Sequence, residues 1–222
     1  MGGASGFMTV LDSLKLHGKG LIQELDHFTH TANGNPLAKW GIEWGAWNYR
    51  WTDEAMSIAG LRREFALALV SGTSLWWFDM WNHWYDTAPI RAALGDMQRI
   101  WDAQRALGEA ATVSEIAVLV DAESCLYINE TAPPVNDLLA KLRQSLGRLG
   151  APFSLYSSAD LDAIDFSRFK LVILPNLFAC DAERAERLRR RVLRDGRTVL
   201  WIGPAGIIAD GAYDPVHVER LT

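Results

Sequence analysis

Two short apolar runs that end in acidic residues mark the first half of this chain. Residues 20–26 read Gly-Leu-Ile-Gln-Glu-Leu-Asp, and residues 74–79 read Ser-Leu-Trp-Trp-Phe-Asp. Between them, segment 53–71 has apolar residues at helical spacing, and Gly72 follows where a glycine often ends a helix. The pattern predicts a βαβ unit with acidic side chains at the ends of both strands.

These acids are the candidate active-site residues. Side chains alternate between the two faces of a strand, so Glu24 and Asp26 are expected on one face. Asp79 ends the second strand in the same way. Because an unpaired buried carboxylate is costly, acids repeated at the ends of apolar strands favour an active site. The alternative interpretation is that they cap the loops or helices that follow.

The βαβ unit is too small to be a complete domain. Helices are predicted at 7–17 and from Pro89 to about residue 107, and the small, polar segment 108–114 marks a boundary. We therefore expect one domain at 1–108 and a second at 114–222. Two parallel strands cannot cover their own edges, and βα units with acids at the strand ends are typical of the eightfold (β/α)8 TIM barrel. The first domain is then the C-terminal portion of such a barrel.

The second half has shorter apolar runs that alternate with helical segments. The predicted strands are 115–121, 153–156, 170–176 and 197–203, and the predicted helices are 135–149 and 181–194. Parallel strands need helical crossovers of this kind. The alternation predicts an open, flavodoxin-like α/β sheet.

No cofactor or metal is predicted. The second half lacks a glycine-rich phosphate loop after its first strand, which argues against nucleotide or flavin binding. His27 and His30 are spaced like metal ligands, but no third ligand is obvious beside them.

Composition and charge narrow the class of protein. With 222 residues, 49% of them hydrophobic, the chain can bury a substantial core. Its net charge of −5 argues against nucleic acid as a partner. We find neither a signal peptide nor an apolar run long enough to cross a bilayer, so we expect a cytoplasmic protein without a membrane partner.

Tryptophans are concentrated in the first half, where nine of the ten fall between residues 40 and 101. Their rings suit stacking on the C–H face of a sugar, although packing in the core is the more common role of any one tryptophan. Trp81 and Trp84, just past the second predicted strand, are the best candidates for sugar contact. His83 between them either contacts a substrate hydroxyl or is simply an exposed loop residue.

The order of these segments resembles the C-terminal part of a family 42 glycoside hydrolase, a β-galactosidase. The resemblance extends from about residue 15 onward. It rests on Lys19-Gly-Leu-Ile-Gln-Glu24, on the segments 61–72 and 75–79, and then on 115–124, 149–152 and 170–176. It implies the last strands of a (β/α)8 barrel, followed by the β-galactosidase trimerisation domain, which has a glutamine-amidotransferase-like fold.

The resemblance also implies an activity. Glu24 would be the catalytic nucleophile of a retaining β-galactosidase at the end of barrel strand seven, and Asp79 would end strand eight. With Glu24 in that role, we expect from their positions near the strand ends that the carbohydrate substrate is bound by Asp26, Asp79, Trp81, Trp84 and His83, and that no cofactor is needed. The resemblance further implies that the parent protein forms a homo-oligomer (trimer).

The same resemblance predicts that this chain is an incomplete fragment. The family's acid/base lies on strand four, which this chain does not contain, and the second domain looks truncated. Asp26 departs from the family's pattern beside the nucleophile and leaves the sugar and linkage open. A non-catalytic oligomerisation or sugar-binding module is the alternative function. A degenerate barrel protein, whose carboxylates only stabilise loops, is a weaker one.

Overall fold

The computed structural model describes residues 9–32, 37–42, 50–79, 83–108, 112–129 and 141–222, and it is an α/β protein with parallel sheets. The chain divides into two compact units. The first unit is Gly20–Ala111, and the second unit combines Met1–Lys19 with Thr112–Thr222. The sequence-based division kept residues 1–108 together, whereas the structure groups the start of the chain with the second unit.

The helices and strands alternate through both units. In chain order they are α1 (Leu11–Leu16), β1 (Ile22–Leu25), α2 (Glu54–Ser71), β2 (Ser74–Trp77), α3 (Ala88–Ala106), β3 (Ile116–Val120), α4 (Leu142–Gly147), β4 (Phe153–Ser157), β5 (Leu171–Leu174), α5 (Ala182–Arg191), β6 (Thr198–Trp201), β7 (Ile208–Ala209), β8 (Ala212–Tyr213) and α6 (Pro215–Leu221). Every strand predicted from the sequence is present, and β7 and β8 form an additional short hairpin. Part of the helix predicted at 135–149 falls outside the described residues.

The first unit is a parallel strand pair with helices on one face. α2 begins at Asp53, whose carboxylate accepts a hydrogen bond from the backbone N–H of Met56 at 2.7 Å, and it ends at Gly72 in the left-handed conformation with φ of 61°. β2 returns beside β1 in parallel register. Leu75 and Trp77 of β2 pack against the buried cluster of α2 and α3. The helices therefore cover the face of the sheet on which these two side chains lie.

The opposite face of this strand pair is exposed. Ile22 and Glu24 of β1 and Trp76 of β2 are all exposed, and the register pairs Glu24 with Trp76. Paired residues of parallel strands share a face. Both faces of a parallel sheet are usually covered by other elements, so this open face is unusual.

A glycine in α2 lies where Trp51 packs across the helix. A Cβ atom added at Gly60 would overlap the six-membered ring of Trp51, which is buried in the core of the first unit. We expect Gly60→Ala to lower the free energy of unfolding by about 1–3 kcal/mol, the usual cost of overpacking. This cost exceeds the gain from alanine as a better helix former.

Gly95 in α3 is the matched control, because a Cβ atom there meets nothing within 4 Å. Gly95→Ala should raise the free energy of unfolding by about 0.5–1 kcal/mol through helix propensity alone. Urea denaturation measures both changes. Equal stabilisation by the two substitutions would rule out the close packing between Gly60 and Trp51.

The second unit is built on a sheet of four parallel strands in the order β4-β3-β5-β6. One face of this sheet packs against α5 through a cluster that includes Leu119, Val172 and Leu188. The other face packs against α4 through Val118 and Leu146. Its buried strands are apolar on both faces, as expected for parallel strands covered by helices.

The N-terminal helix α1 lies along the outer edge of β4. The carboxylate of Asp12 accepts a hydrogen bond from the backbone N–H of Leu155 at 2.7 Å, and Ser13 Oγ accepts one from the N–H of Ser157 at 2.7 Å. These side chains satisfy backbone donors that an edge strand would otherwise expose.

Among the described residues, no helix is long and apolar enough to span a lipid bilayer.

Candidate functional site

The predicted nucleophile lies on the open face of the first unit. Glu24 is exposed and directly opposite Trp76 in the parallel register. The Trp76 side chain is 43% exposed, and its ring centroid is 4.9 Å from that of Phe78. A carboxylate and a partly exposed aromatic ring therefore share one surface. Alternation along β2 points to Trp76, which sequence reasoning did not select because it favoured residues beyond the strand end.

Asp26 and Asp79 follow the ends of the two strands. Asp26 is exposed, and Asp79 is half-buried. Atom Oδ1 of Asp79 is buried and has no hydrogen-bond donor among the described residues. A buried acceptor of this kind is costly unless a ligand or water supplies the donor. The hydroxyl group of a sugar is one such donor.

Tyr85 reaches the same strand ends from the segment after β2. Its hydroxyl donates to the carbonyl oxygen of Leu25 at 3.1 Å and lies 3.4 Å from the carbonyl oxygen of Phe78. Burial, together with the negative charges of Asp79 and Asp26, raises the pKa of Tyr85 above its usual value. The phenol therefore keeps its proton to a higher pH than an ordinary tyrosine and can donate it to the Leu25 carbonyl. Sequence reasoning missed it, because no short motif signals a contact across 60 residues.

Trp84, a predicted sugar-contacting residue, lies in the core. It is 2% exposed, and its ring packs against that of Phe28 with centroids 4.5 Å apart. Its carbonyl oxygen accepts hydrogen bonds from Thr29 and Thr31. In this structure its ring has no free face on which a sugar could stack, contrary to the sequence-based expectation. The burial follows from the loop after β1, which supplies Phe28.

The two other predicted residues of this segment have different outcomes. His83 is exposed, and its Nδ1 lies 3.3 Å from the carboxylate of Asp86, which also pairs with Arg91. Trp81 lies outside the described residues, so its role in sugar contact stays a prediction.

The histidines beside β1 contact groups of the protein itself. The His27 ring stacks on Trp51, with centroids 4.6 Å apart and planes at 11°. His30 lies 2.9 Å from Ser57 Oγ through Nδ1, and its backbone N–H donates to the same oxygen at 3.0 Å. Ser57 belongs to α2. These contacts anchor the loop after β1 to the helix and so support the end of the strand that carries Glu24.

The carboxyl edge of the second unit's sheet holds a buried polar network around Asp121. Asp121 follows β3 and is 2% exposed. Its carboxylate pairs with Arg184 of α5 and accepts hydrogen bonds from Ser158 Oγ at 2.7 Å and from the hydroxyl and backbone N–H of Ser124. Burial raises the pKa of Asp121, but the hydrogen bonds from Arg184, Ser124 and Ser158 outweigh it and hold the pKa below its usual value.

Asn176 and Ser124 complete this network at the ends of β3 and β5. Asn176 accepts from the N–H of Asp121 at 2.9 Å and donates to its carbonyl oxygen at 2.7 Å. Ser124 Oγ accepts from the backbone N–H groups of Phe178 and Ala179, each at 2.8 Å. Open α/β sheets usually bind ligands at this edge. Here the polar groups that would bind a ligand bind one another.

The comparisons with known proteins give similarity in structure alone. No protein-family model matches the sequence, and no curated protein matches it. The cold-adapted β-galactosidase of Rahnella sp. R3 has a solved structure that matches 73% of this chain and 26% of its own, with 14% identity and a TM-score of 0.52. Gan42B, a GH42 β-galactosidase from G. stearothermophilus, matches over 71% and 25% of the two chains, with 17% identity and a TM-score of 0.50.

These matches concern the fold. The chain shares a fold with part of these two β-galactosidases and spans about a quarter of the length of each.

Proposed function

We propose that this chain is the part of a retaining β-galactosidase that carries the catalytic nucleophile, Glu24. The observation that carries the proposal is the pairing of exposed Glu24 with exposed Trp76 on the open face of a parallel strand pair. The fold shared with β-galactosidases supports the same assignment. The open face would be the inside of a (β/α)8 barrel, whose remaining strands lie outside this chain.

Each group at the strand ends then has a role in the reaction. Glu24 attacks the anomeric carbon and forms a glycosyl-enzyme intermediate, which water then hydrolyses. Trp76 takes the stacking role that sequence analysis gave to other tryptophans, because its ring is partly exposed beside Glu24. Asp26 and Asp79 accept hydrogen bonds from sugar hydroxyls. The acid that protonates the leaving group comes from outside this chain.

The second unit would serve assembly. Its strand order β4-β3-β5-β6 corresponds to the 2-1-3-4 order of flavodoxin-like sheets. The network around Asp121 satisfies the polar groups at the usual ligand-binding edge. A role in forming a homo-oligomer of the parent protein therefore fits this unit better than binding of a small molecule.

A galactoside with an activated leaving group tests the proposed activity. Dinitrophenolate departs without protonation, so a chain that lacks the acid can still transfer galactose to Glu24. We expect the 222-residue protein to release dinitrophenolate from 2,4-dinitrophenyl β-galactoside in a burst stoichiometric with protein. Methyl β-galactoside, which needs the acid, should remain intact.

The two substrates separate the alternatives. Absence of dinitrophenolate release above the spontaneous rate would contradict the proposed activity and favour a non-catalytic module. Cleavage of the methyl galactoside would instead show that the chain supplies its own acid.

A further inference from the structure

We infer that Tyr85 is a positioning residue, whose hydroxyl holds the peptide between Leu25 and Asp26 in place and so sets the direction of the neighbouring Glu24 carboxylate. The hydrogen bonds and ring packing of Tyr85 in the first unit support its positioning role. Its effect on catalysis rests on the proposed function.

The hydroxyl of Tyr85 contacts one backbone carbonyl group at the end of each strand. The carbonyl oxygen of Leu25 accepts from the backbone N–H of Phe78 at 2.9 Å and from the hydroxyl of Tyr85 at 3.1 Å. The same hydroxyl is 3.4 Å from the carbonyl oxygen of Phe78. Tyr85 thus joins the ends of β1 and β2 at the point where the pairing of the two strands ends. Without it, the Leu25 carbonyl would keep a single backbone partner among the described residues.

The ring of Tyr85 is held by packing on the helix-covered side of the sheet. It meets the ring of Trp77 edge to face, with centroids 6.1 Å apart and planes at 63°. It also packs against the buried clusters that contain Phe65 and Phe28. Glu24 lies on the opposite, open face. Tyr85 therefore acts on Glu24 through the backbone and does not contact a sugar bound on the open face.

The negative charges near the Tyr85 hydroxyl also favour its role as a hydrogen-bond donor. Asp26 and Asp79 lie close enough to influence its ionisation, and both disfavour the phenolate. A neutral phenol keeps its proton for the Leu25 carbonyl. A phenolate would place a third negative charge at the strand ends.

Tyr85→Phe removes the hydroxyl and leaves the ring packing intact. We expect faster hydrogen exchange at the backbone amide of Phe78, confined to the ends of β1 and β2, with the thermal midpoint nearly unchanged. We also expect the rate constant for dinitrophenolate release to fall about ten-fold, as for a small misplacement of a reacting group. The galactoside concentration at half-saturation should stay constant, since Tyr85 does not touch the sugar.

Tyr213→Phe is the control, because Tyr213 is 70% exposed in β8 and belongs to the second unit. Tyr213→Phe should change neither the hydrogen exchange of the Phe78 amide nor the rate constant for dinitrophenolate release. Unchanged exchange at Phe78 in Tyr85→Phe would overturn the inference, as would a variant whose only effect is a lower midpoint or a higher half-saturation concentration. If the unmodified protein releases no dinitrophenolate, the proposed activity fails, and the exchange measurement alone decides the role of Tyr85.

Discussion

Glu24→Gln should abolish the burst of dinitrophenolate release, with a loss on the order of 10⁴-fold or more, as for removal of a covalent nucleophile in other hydrolases. Glutamine keeps the shape of the side chain but cannot attack the anomeric carbon as a carboxylate does. Intact mass spectrometry after incubation with a 2-fluoro-galactoside provides the direct measurement. The unmodified protein should gain one sugar on Glu24, and the variant should gain none.

Two further variants test whether the effect is specific to Glu24 as the nucleophile. Glu219→Gln is a matched control, because Glu219 is exposed in the C-terminal helix α6 of the second unit. It should label like the unmodified protein. Glu24→Gly should regain release when azide is added, because azide can occupy the space of the missing carboxylate and attack the sugar. Sugar labelling at another carboxylate would remove Glu24 from the nucleophile role.

Asp121→Ala should lower the free energy of unfolding by about 3–5 kcal/mol, the cost of breaking a buried ion pair from one side. The substitution leaves Arg184 without its main counter-charge and leaves the hydroxyls of Ser124 and Ser158 without their acceptor. Urea denaturation followed by circular dichroism measures the change.

Glu123→Ala is the control for charge, since Glu123 lies 3.5 Å from the same arginine but its side chain is 63% exposed. An exposed pair contributes only about 0–1 kcal/mol. An equal loss of unfolding free energy in Asp121→Ala and Glu123→Ala would contradict the stabilising role of the buried network around Asp121.

The pH dependence of stability gives a second test of Asp121. Its pKa in the folded protein lies below the ordinary 3.8, so the unfolded chain takes up the proton first as the pH falls. The stabilisation is therefore complete above about pH 4 and is lost as the pH falls through the lowered pKa. Asp121→Ala should lack this component, and its stability should fall less steeply in acid than that of the unmodified protein.

The sequence was most informative where the signal was local. Each run of apolar residues that predicted a strand became one, because alternation and helical spacing are properties of neighbouring positions. The signals for the start of α2 at Asp53 and for its end at Gly72 also lie within a few residues of the helix ends. Glu24 and Asp26 are exposed, whereas the sequence argument considered carboxylates at the ends of apolar strands to be buried.

Site residues were harder to choose. Trp76 and Trp84 are both tryptophans near the end of β2, yet one is partly exposed and the other is 2% exposed. The difference depends on Phe28, which covers Trp84 from a distant part of the chain. Residue type could not separate them, because tryptophan suits both a core and a sugar-binding surface.

The sequence by itself determined which segments are strands or helices, their order, and the acidic ends of β1 and β2. Only the tertiary structure decided which residues meet: Tyr85 with Leu25 across 60 residues, Arg184 with Asp121 across 63, and α1 with the edge of β4. The physical reason is that strand and helix patterns arise from backbone geometry within a few residues. Long-range pairs depend on how entire elements pack, and no local spacing encodes them.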